Sequence, residues 1–549
     1  MTDPRQITFP HRRSADQDRL RPAQHPVVIV GAGPVGLVAA LALARKGHRT
    51  IVIDRKNNLS DGSRAICWAK RTLEIMDRLG LGEAVAAKGV TWKTGTVFFD
   101  TQRLFEFDLL PETAHRRPAF VNLQQYYFEH FCIEAARQTG LIELRWQEEV
   151  QGLEPTSDGL LLNISTPTGD YRLLADWLIA ADGARSAIRR HLQLGFEGRV
   201  FDDQFLICDI KMRMERPAER WFWFDPPFNR GRSALLHKQA DDVWRLDFQI
   251  GATADRVEEM RPANVARRVR AMLGEDVEFS FEWISLYRFQ SRRLQRFRHG
   301  HVLFAGDAAH QMSPFGARGG NSGIQDADNL AWKLDLILRR LAPATLLDSY
   351  DAERIPAADE NLLHTTRSTD FIAPKSAASR AFRDGVLALA ETEPLARRLV
   401  NSGRLSVARC YDGSPLNGPD GYGPGDCPAA RPGAAALDAP VAGAWLLDAL
   451  GHGFSGVWFC REGRPAAALA AADSALAQGK VPVKTLLISD PIACCRYGAE
   501  RQPAYYLFRP DQHVVARWRG FDGAALQGAL ARATGRSSTG AGAPDASQA

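Results

Sequence analysis

His25-PVVIVGAGPVGLVAALALARKG-His48, continued by RTIVID to Asp54, is the stretch whose reading decides the fold. Val27 to Val30 are apolar and β-branched, which reads as a buried strand. Gly31-Ala32-Gly33-Pro34-Val35-Gly36 then reads as a tight turn opening a helix. Gly31 makes the turn, Gly33 lets the backbone approach a pyrophosphate, and Gly36 lets helix and strand pack closely. The free N–H groups and positive dipole end of the helix start suit phosphate. Asp54, ending the second strand, is placed to accept hydrogen bonds from a ribose. The stretch is the opening of a dinucleotide-binding βαβ unit.

By itself that unit does not separate FAD from NAD. Two later stations do. In LIAADGARSAIRR a strand runs into Asp182 and Gly183 and opens a helix that presents Arg185, Ser186 and Arg189, where a capped helix start with a solvated basic face is the plainer reading. In VLFAGDAAHQMSPFGARGGN a strand delivers Gly306 and Asp307, whose carboxylate suits a sugar-like hydroxyl chain. Pro314, Gly316, Gly319 and Gly320 follow, small residues against which a flat ring can lie.

These motifs, with SRAICWAKRTLEIMDRLGL from Ser63 and LQQYYFE from Leu123, resemble the single-component FAD-dependent aromatic hydroxylases. That group includes 4-hydroxybenzoate, phenol and 3-(3-hydroxyphenyl)propionate hydroxylases, and the match covers roughly residues 26 to 370. The tail TLLISDP…YYLFRPDQHVVARW resembles the thioredoxin-like domain of the phenol hydroxylase branch. It lacks a CxxC, so a structural or dimer-contact role is expected for it, with a second copy of the chain as partner.

The resemblance implies an α/β fold: a Rossmann-like (GR2-type) FAD-binding domain, an inserted β-sheet substrate domain and a C-terminal thioredoxin-like α/β domain. The expected organisation is a flexible N-terminal tail over 1–25, the FAD-binding domain over 26–200 and 291–400, and the substrate sheet over 201–290. The C-terminal domain is expected over 411–535 and a disordered tail over 536–549. Gly31, Gly33, Gly36, Asp54, Arg55 and Gln125 are implied to hold the adenine half of FAD, and Arg64 to lie near its phosphates. Asp182, Gly183 and Arg189 match the motif that touches both FAD and NAD(P)H. Gly306 and Asp307 are implied at the ribityl chain, and Pro314, Gly319, Gly320 and Asn321 along the isoalloxazine, with Pro314 beside the reacting atoms. The implied reaction uses FAD, NADH or NADPH, and O₂ to hydroxylate a phenolic ring through a flavin C4a-hydroperoxide.

Composition agrees with a multidomain globular protein. At 549 residues the chain is too long for one core, and 45% hydrophobic with 24% charged residues is ordinary for such a protein. The basic run Arg292, Arg293, Arg296 and Arg298 reads as a solvated face, and no aromatic platform accompanies it, so no nucleic-acid partner is expected. No apolar run reaches the roughly 20 residues of a membrane span. The scattered cysteines show no metal spacing, so reduced thiols, a cytoplasmic location and no bound metal are expected.

Substrate choice falls to the aromatic-rich strands between the second and third stations. In 4-hydroxybenzoate hydroxylase one strand there supplies an arginine for the substrate carboxylate. Gln239 stands at that place here, with His237 two residues earlier on the same face, so a small aromatic ligand other than a benzoate is expected. His237 is the candidate to hydrogen-bond or deprotonate a phenol, against the plainer reading of a structural strand histidine. Tyr287 is a further catalytic candidate, and Arg232 and Trp223 are candidate substrate contacts. Four alternatives stay open. One is the same chemistry on a nitro- or halophenol with displacement of the substituent. Another is halogenation, suggested by WFWFDP at Trp221–Pro226 and by Lys70. The others are a plain NAD-dependent dehydrogenase and a non-catalytic FAD-binding protein.

Overall fold

The computed structural model describes residues 3–401, 405–423, 425–461, 472, 474, 480–520 and 523–536. They form two compact units. The first comprises Met1–Thr113, Arg117–Asp328 and Ile355–Val407, and the second Ala114–Arg116, Asn329–Arg354 and Ala408–Ala549.

Ala23–Val30 is a central strand of the first unit. The sheet around it runs Arg298–His299, Val302–Phe304, Tyr171–Ala180, Ala23–Val30, Thr50–Asp54 and Ile142–Trp146. All neighbours from Val302–Phe304 to Ile142–Trp146 are parallel, and Leu160–Ser165 and Glu149–Pro155 extend Tyr171–Ala180 as an antiparallel meander. A parallel sheet is covered on both faces, and Val27, Val28 and Ile29 are accordingly fully buried. The Pro34–Ala44 helix starts with proline in its first turn and buries every residue from Gly36 to Ala44. Val30 pairs with Ala180, and Ala180 with Phe304. The three glycine-and-aspartate stations therefore leave three adjacent strand ends on one edge, where ligands bind in such sheets.

The second sheet of this unit has eight strands in the order His310–Gln311, Ser280–Arg293, Glu197–Lys211, Val243–Gly251, Ser233–Lys238, Arg220–Phe224, Thr94–Phe99 and Gln102–Asp108. All its pairings are antiparallel except that of Arg220–Phe224 with Thr94–Phe99. The expected boundaries of 201–290 are corrected by this pairing. Thr94–Asp108 belongs to the sheet although it precedes the second station by some seventy residues, because its alternating Phe and Val side chains complete a buried face with Phe222 and Phe224.

The motif from Ser63 folds as a short strand, Cys67–Ala69, paired with Phe120–Asn122, followed by the Lys70–Arg78 helix. One other expectation is corrected. Among the described residues the N-terminal tail expected to be flexible is tied down. Phe9 is 3% exposed and stacks on Trp146 at 4.3 Å, Asp16 accepts from Arg145 at 2.7 Å, and Arg5 reaches Glu282 at 2.6 Å. Its many polar residues looked solvated in sequence, yet they find charged partners far along the chain.

The second unit is built on a four-stranded sheet, Val483–Ile488, Phe454–Phe459, Ala504–Phe508 and Val514–Trp518, with the first pair parallel and the rest antiparallel. At its centre Glu353 accepts from Lys333 at 2.9 Å and from Arg509 at 2.5 Å, and Asp511 accepts from Arg509 at 2.7 Å, all four side chains being buried. Burial alone would raise the Glu353 carboxyl, but Arg509 and Lys333 hold it below the usual range. Of the expected C-terminal tail, residues 537–549 lie outside the described residues. Among the described residues no helix is long and apolar enough to cross a membrane.

Candidate active site

A cleft of about 1150 Å³ runs along the first unit from the Gly31 turn to the second sheet. Its near end is the glycine turn. Gly31 has φ +108°, and a Cβ there would fall on the Ala181 carbonyl, while a Cβ on Gly36 would fall on the Gly31 carbonyl oxygen. Gly33 is different: it is extended, nothing lies within 4 Å of its missing Cβ, and it borders the cleft. Gly31 and Gly36 are required by the fold, and Gly33 by whatever occupies the cleft.

Asp54 accepts the N–H of Ala32 at 2.7 Å and of Lys56 at 2.9 Å, so it first fixes the glycine turn. Each of its oxygens keeps a lone pair for a ligand. Gln125 accepts from the Ala65 N–H at 3.1 Å and donates to Glu129 at 2.8 Å, tying the 60–65 loop beside the cleft. Arg55 and Arg64 line the cleft as exposed cations.

At the second station Asp182 caps the Ala187–His191 helix through the Ile188 N–H at 3.1 Å, and its Oδ1 is buried with no hydrogen-bond partner among the described residues. Burial raises its pKa. Gly183, at φ +77°, has open space where a Cβ would stand. Arg189 donates to the carbonyls of Ala308 at 3.0 Å and Ala184 at 2.8 Å, and so ties the second station to the third.

At the third station Gly306, at φ +61°, lies against Val35, which leaves Asp307 open to the cleft. Desolvation by the surrounding walls raises the Asp307 carboxyl, against His310, Arg64 and Arg189. A turn from Pro314 to Ala317 follows, with Gly319 facing open space and Gly320 close to Ala65 and Trp68. Asn321 is fully engaged: it accepts from Ala69 N–H and Thr72 Oγ1 and donates to the carbonyls of Cys67 and Ala317. It joins two walls of the cleft and is a positioning residue.

The far wall is the second sheet. Cross-strand partners share a face, so one cleft-facing row reads Arg220, His237, Arg245, Asp209, Trp283, and the next reads Phe222, Leu235, Asp247, Ile207, Ser285. A third contains Phe205 and Tyr287, packed with Phe289 and Phe315. His237 is 4% exposed, its Nδ1 has no partner among the described residues, and its ring lies 5.6 Å from Trp92. Burial, with Arg220 and Arg245 beside it, holds its pKa well below 6.5, so it is neutral at physiological pH. Tyr287 also lines the cleft, with its phenol pushed up to about 12 by burial.

Three expected substrate contacts do not reach the cleft. Gln239 is buried and donates to Asp209 at 3.1 Å, because the strand ends at Lys238 and the chain turns away. Arg232 sits by Gly251 outside the cleft lining. Trp223 stacks on Phe98 at 5.0 Å on the opposite face, since strand alternation gives Arg220, Phe222 and Phe224 one face and Trp221 and Trp223 the other. The WFWFDP tryptophans thus stand away from the cleft, and Lys70 is paired with Glu74. Neither supports halogenation.

The sequence reading missed Arg220, Asp209, Arg245 and Asp247. Counting back from the Ala240–Asp242 turn pairs His237 with Arg245, and parity then adds Asp247; that signal was present.

The cleft fits FAD. Gly33, Gly183 and Gly319 leave open space along it, Asp182 offers an unpartnered oxygen, and Asp307 lines it. Residues 24–365 match a family described as an FAD binding domain. The chain is 33% identical over 419 residues to 6-methylpretetramide 4-monooxygenase of Streptomyces rimosus, covering 73% of this chain and 72% of the relative. It is 32% identical over 382 residues to 3-(3-hydroxy-phenyl)propionate/3-hydroxycinnamic acid hydroxylase of Klebsiella pneumoniae subsp. pneumoniae, covering 68% and 67%. Its fold superposes on that of the flavin-dependent monooxygenase PieE, in complex with FAD and substrate, with a TM-score of 0.80 at 23% identity, covering 94% of this chain and 100% of that one. With this fold and these relatives, the chain belongs to the FAD-binding family of flavoprotein aromatic monooxygenases.

Proposed function

We propose that the chain hydroxylates a phenolic ring held between the second sheet and the Pro314–Asn321 turn, using NADH or NADPH and O₂. The observation that carries this reading is the continuity of one cleft from the Gly31 turn, past Asp307, to the Arg220–His237–Arg245 row. FAD, when bound, supplies electron transfer from NAD(P)H and activation of O₂. The protein supplies placement. The helix start after Gly33 takes the pyrophosphate, Asp54 the ribose, Asp307 the ribityl hydroxyls, and the small residues after Pro314 admit a flat ring.

The substrate's apolar body rests on Phe205, Leu235 and Phe289, which exclude water from the reacting face. Neutral His237 stands in the wall beside the substrate, and Tyr287 borders the same space. Arg245 is held by Asp209 and is not the anchor of a benzoate carboxylate. The second sheet is thus the substrate domain in this reading. The strand order of the second unit supports a thioredoxin-like domain, and the absence of CxxC supports a structural or dimer-contact role rather than a redox one. A cytoplasmic location is part of the same proposal.

The test is a panel of phenols, catechols, nitrophenols and halophenols scored for stimulated NAD(P)H oxidation by the FAD-loaded protein, with products identified. A hydroxylated or substituent-displaced product is expected for at least one. Stimulated oxidation that yields only hydrogen peroxide across the panel, or no stimulation at all, overturns the reading.

A further inference from the structure

We propose that Asp247 is the catalytic base of this site, accepting the proton of the substrate's ring hydroxyl. The proposal rests on the phenol-hydroxylating reading above and adds a residue and a substrate requirement to it: the ring must present a hydroxyl donor to a carboxylate.

The argument starts from sheet register. Asp247 is cross-strand from Leu235 on one side and from Ile207 on the other. It is thus a carboxylate set into an apolar row of the cleft wall. Each member of that trio lines the cleft. A carboxylate among aliphatic side chains is expected to have a partner. Asp209, in the neighbouring row, has one: it accepts from Arg245 Nε and a second guanidinium nitrogen, both at 2.8 Å, and from Gln239 at 3.1 Å. Asp247 has none among the described residues, and its Oδ1 is buried. The sheet neutralises one acid and leaves the other facing the cavity.

The surroundings suit the role. Arg220 and Arg245 attract the carboxylate from the adjacent row, Asp209 opposes them, His237 stands between the two arginines, and the Cys67 thiol faces the group from the neighbouring three-stranded sheet. His237 is neutral and the Cys67 thiol is pushed up to about 12, so neither changes charge near neutrality. Burial pushes the Asp247 carboxyl up to about 6, with Arg245 opposing, so it is ionised yet still basic near pH 7. In the step, the phenol O–H bond breaks, the proton passes to a carboxylate oxygen of Asp247, and the electron pair stays on the phenol oxygen, where it activates the ring. The proton leaves Asp247 to water before the next cycle.

The experiment uses FAD-loaded wild type, Asp247→Asn and Asp247→Ala. Binding of 2-naphthol and of 2-methoxynaphthalene at pH 7 is read from the perturbation of the flavin absorbance. In the second ring a methyl group replaces the donor hydrogen. The wild type is expected to prefer 2-naphthol, and that preference is expected to fall at least tenfold in Asp247→Ala, as for a lost hydrogen bond to a charged group. With the most active phenol of the panel, Asp247→Asn is expected to lower kcat by roughly a hundredfold or more and to abolish the acid limb near pH 6, with FAD retained. An unchanged naphthol preference, or an Asn variant with wild-type kcat and acid limb, overturns the proposal. A wild type inactive on every phenol sinks the hydroxylase reading instead, and the naphthol comparison still decides whether Asp247 receives a hydroxyl.

Discussion

Arg245 and Asp209 form a two-point ion pair across neighbouring strands, with both nitrogen–oxygen distances at 2.8 Å and both side chains 4% exposed. Arg245 also donates to the Ser63 carbonyl, so the pair clamps the second sheet to the loop beside the cleft. A buried pair of this kind is expensive to break from one side. Asp209→Ala is expected to cost about 3–5 kcal/mol in urea denaturation of the holoenzyme. Replacing both residues by methionine is expected to cost much less, and a full two-residue cycle measures the difference.

Gly33 and Gly36 belong to one motif but fail differently. Gly36→Ala puts a methyl on the Gly31 carbonyl oxygen and is expected to destabilise the apoprotein. Gly33→Ala meets open space and extended backbone, so the apoprotein is expected to keep its melting temperature. Its methyl would enter the phosphate path, and FAD affinity is expected to fall at least tenfold, or about 1.4 kcal/mol, read by flavin fluorescence titration. Equal FAD affinity in Gly33→Ala would move the pyrophosphate elsewhere.

Asp247 carries a stability cost that depends on pH. Its folded pKa of about 6 lies above its ordinary 3.8, so the folded state holds a proton that the unfolded chain releases. Stability from this group is complete below about pH 4 and is lost as pH rises through 6. Asp247→Asn is therefore expected to be more stable than wild type at pH 8, by about 1–3 kcal/mol, and indistinguishable at pH 4. Denaturant melts at the two pH values check the sign, and a variant that is less stable at pH 8 contradicts it.

Asp307→Ala removes a carboxylate that lines the cleft without touching a turn glycine. FAD is expected to dissociate more readily on gel filtration, with the secondary structure intact by circular dichroism. His237→Ala is expected to retain FAD and lose turnover, and retained turnover would remove His237 from the site.

The nucleotide half was legible because its constraints are local. A strand, a turn needing glycine at positive φ and a helix start occupy consecutive residues, so Gly31, Gly33 and Gly36 declare themselves. The substrate wall was only half legible. His237 was found, but Trp223 was chosen for its chemistry when strand parity turns it to the other face. Gln239 lay one residue beyond the end of its strand, where alternation no longer holds. Arg245 and Asp247 could be read from the hairpin that holds His237, but Asp209 acquires meaning only when a distant strand is set in register beside it. The N-terminal residues misled for a similar reason: nothing near Phe9, Asp16 or Arg5 in sequence announces Trp146, Arg145 or Glu282.

Those N-terminal contacts impose an order on how the protein is made. Residues 3–18 leave the ribosome before their partners, since Trp146 and Arg145 follow more than a hundred residues later and Glu282 later still. At roughly 5–20 residues per second, Glu282 follows Arg5 by about 15–55 seconds, and until it emerges Arg5 has only its neighbour Asp3 to pair with. Until Trp146 emerges, Phe9 lacks the ring it stacks on. A segment made well before its partners is among the last to find its place.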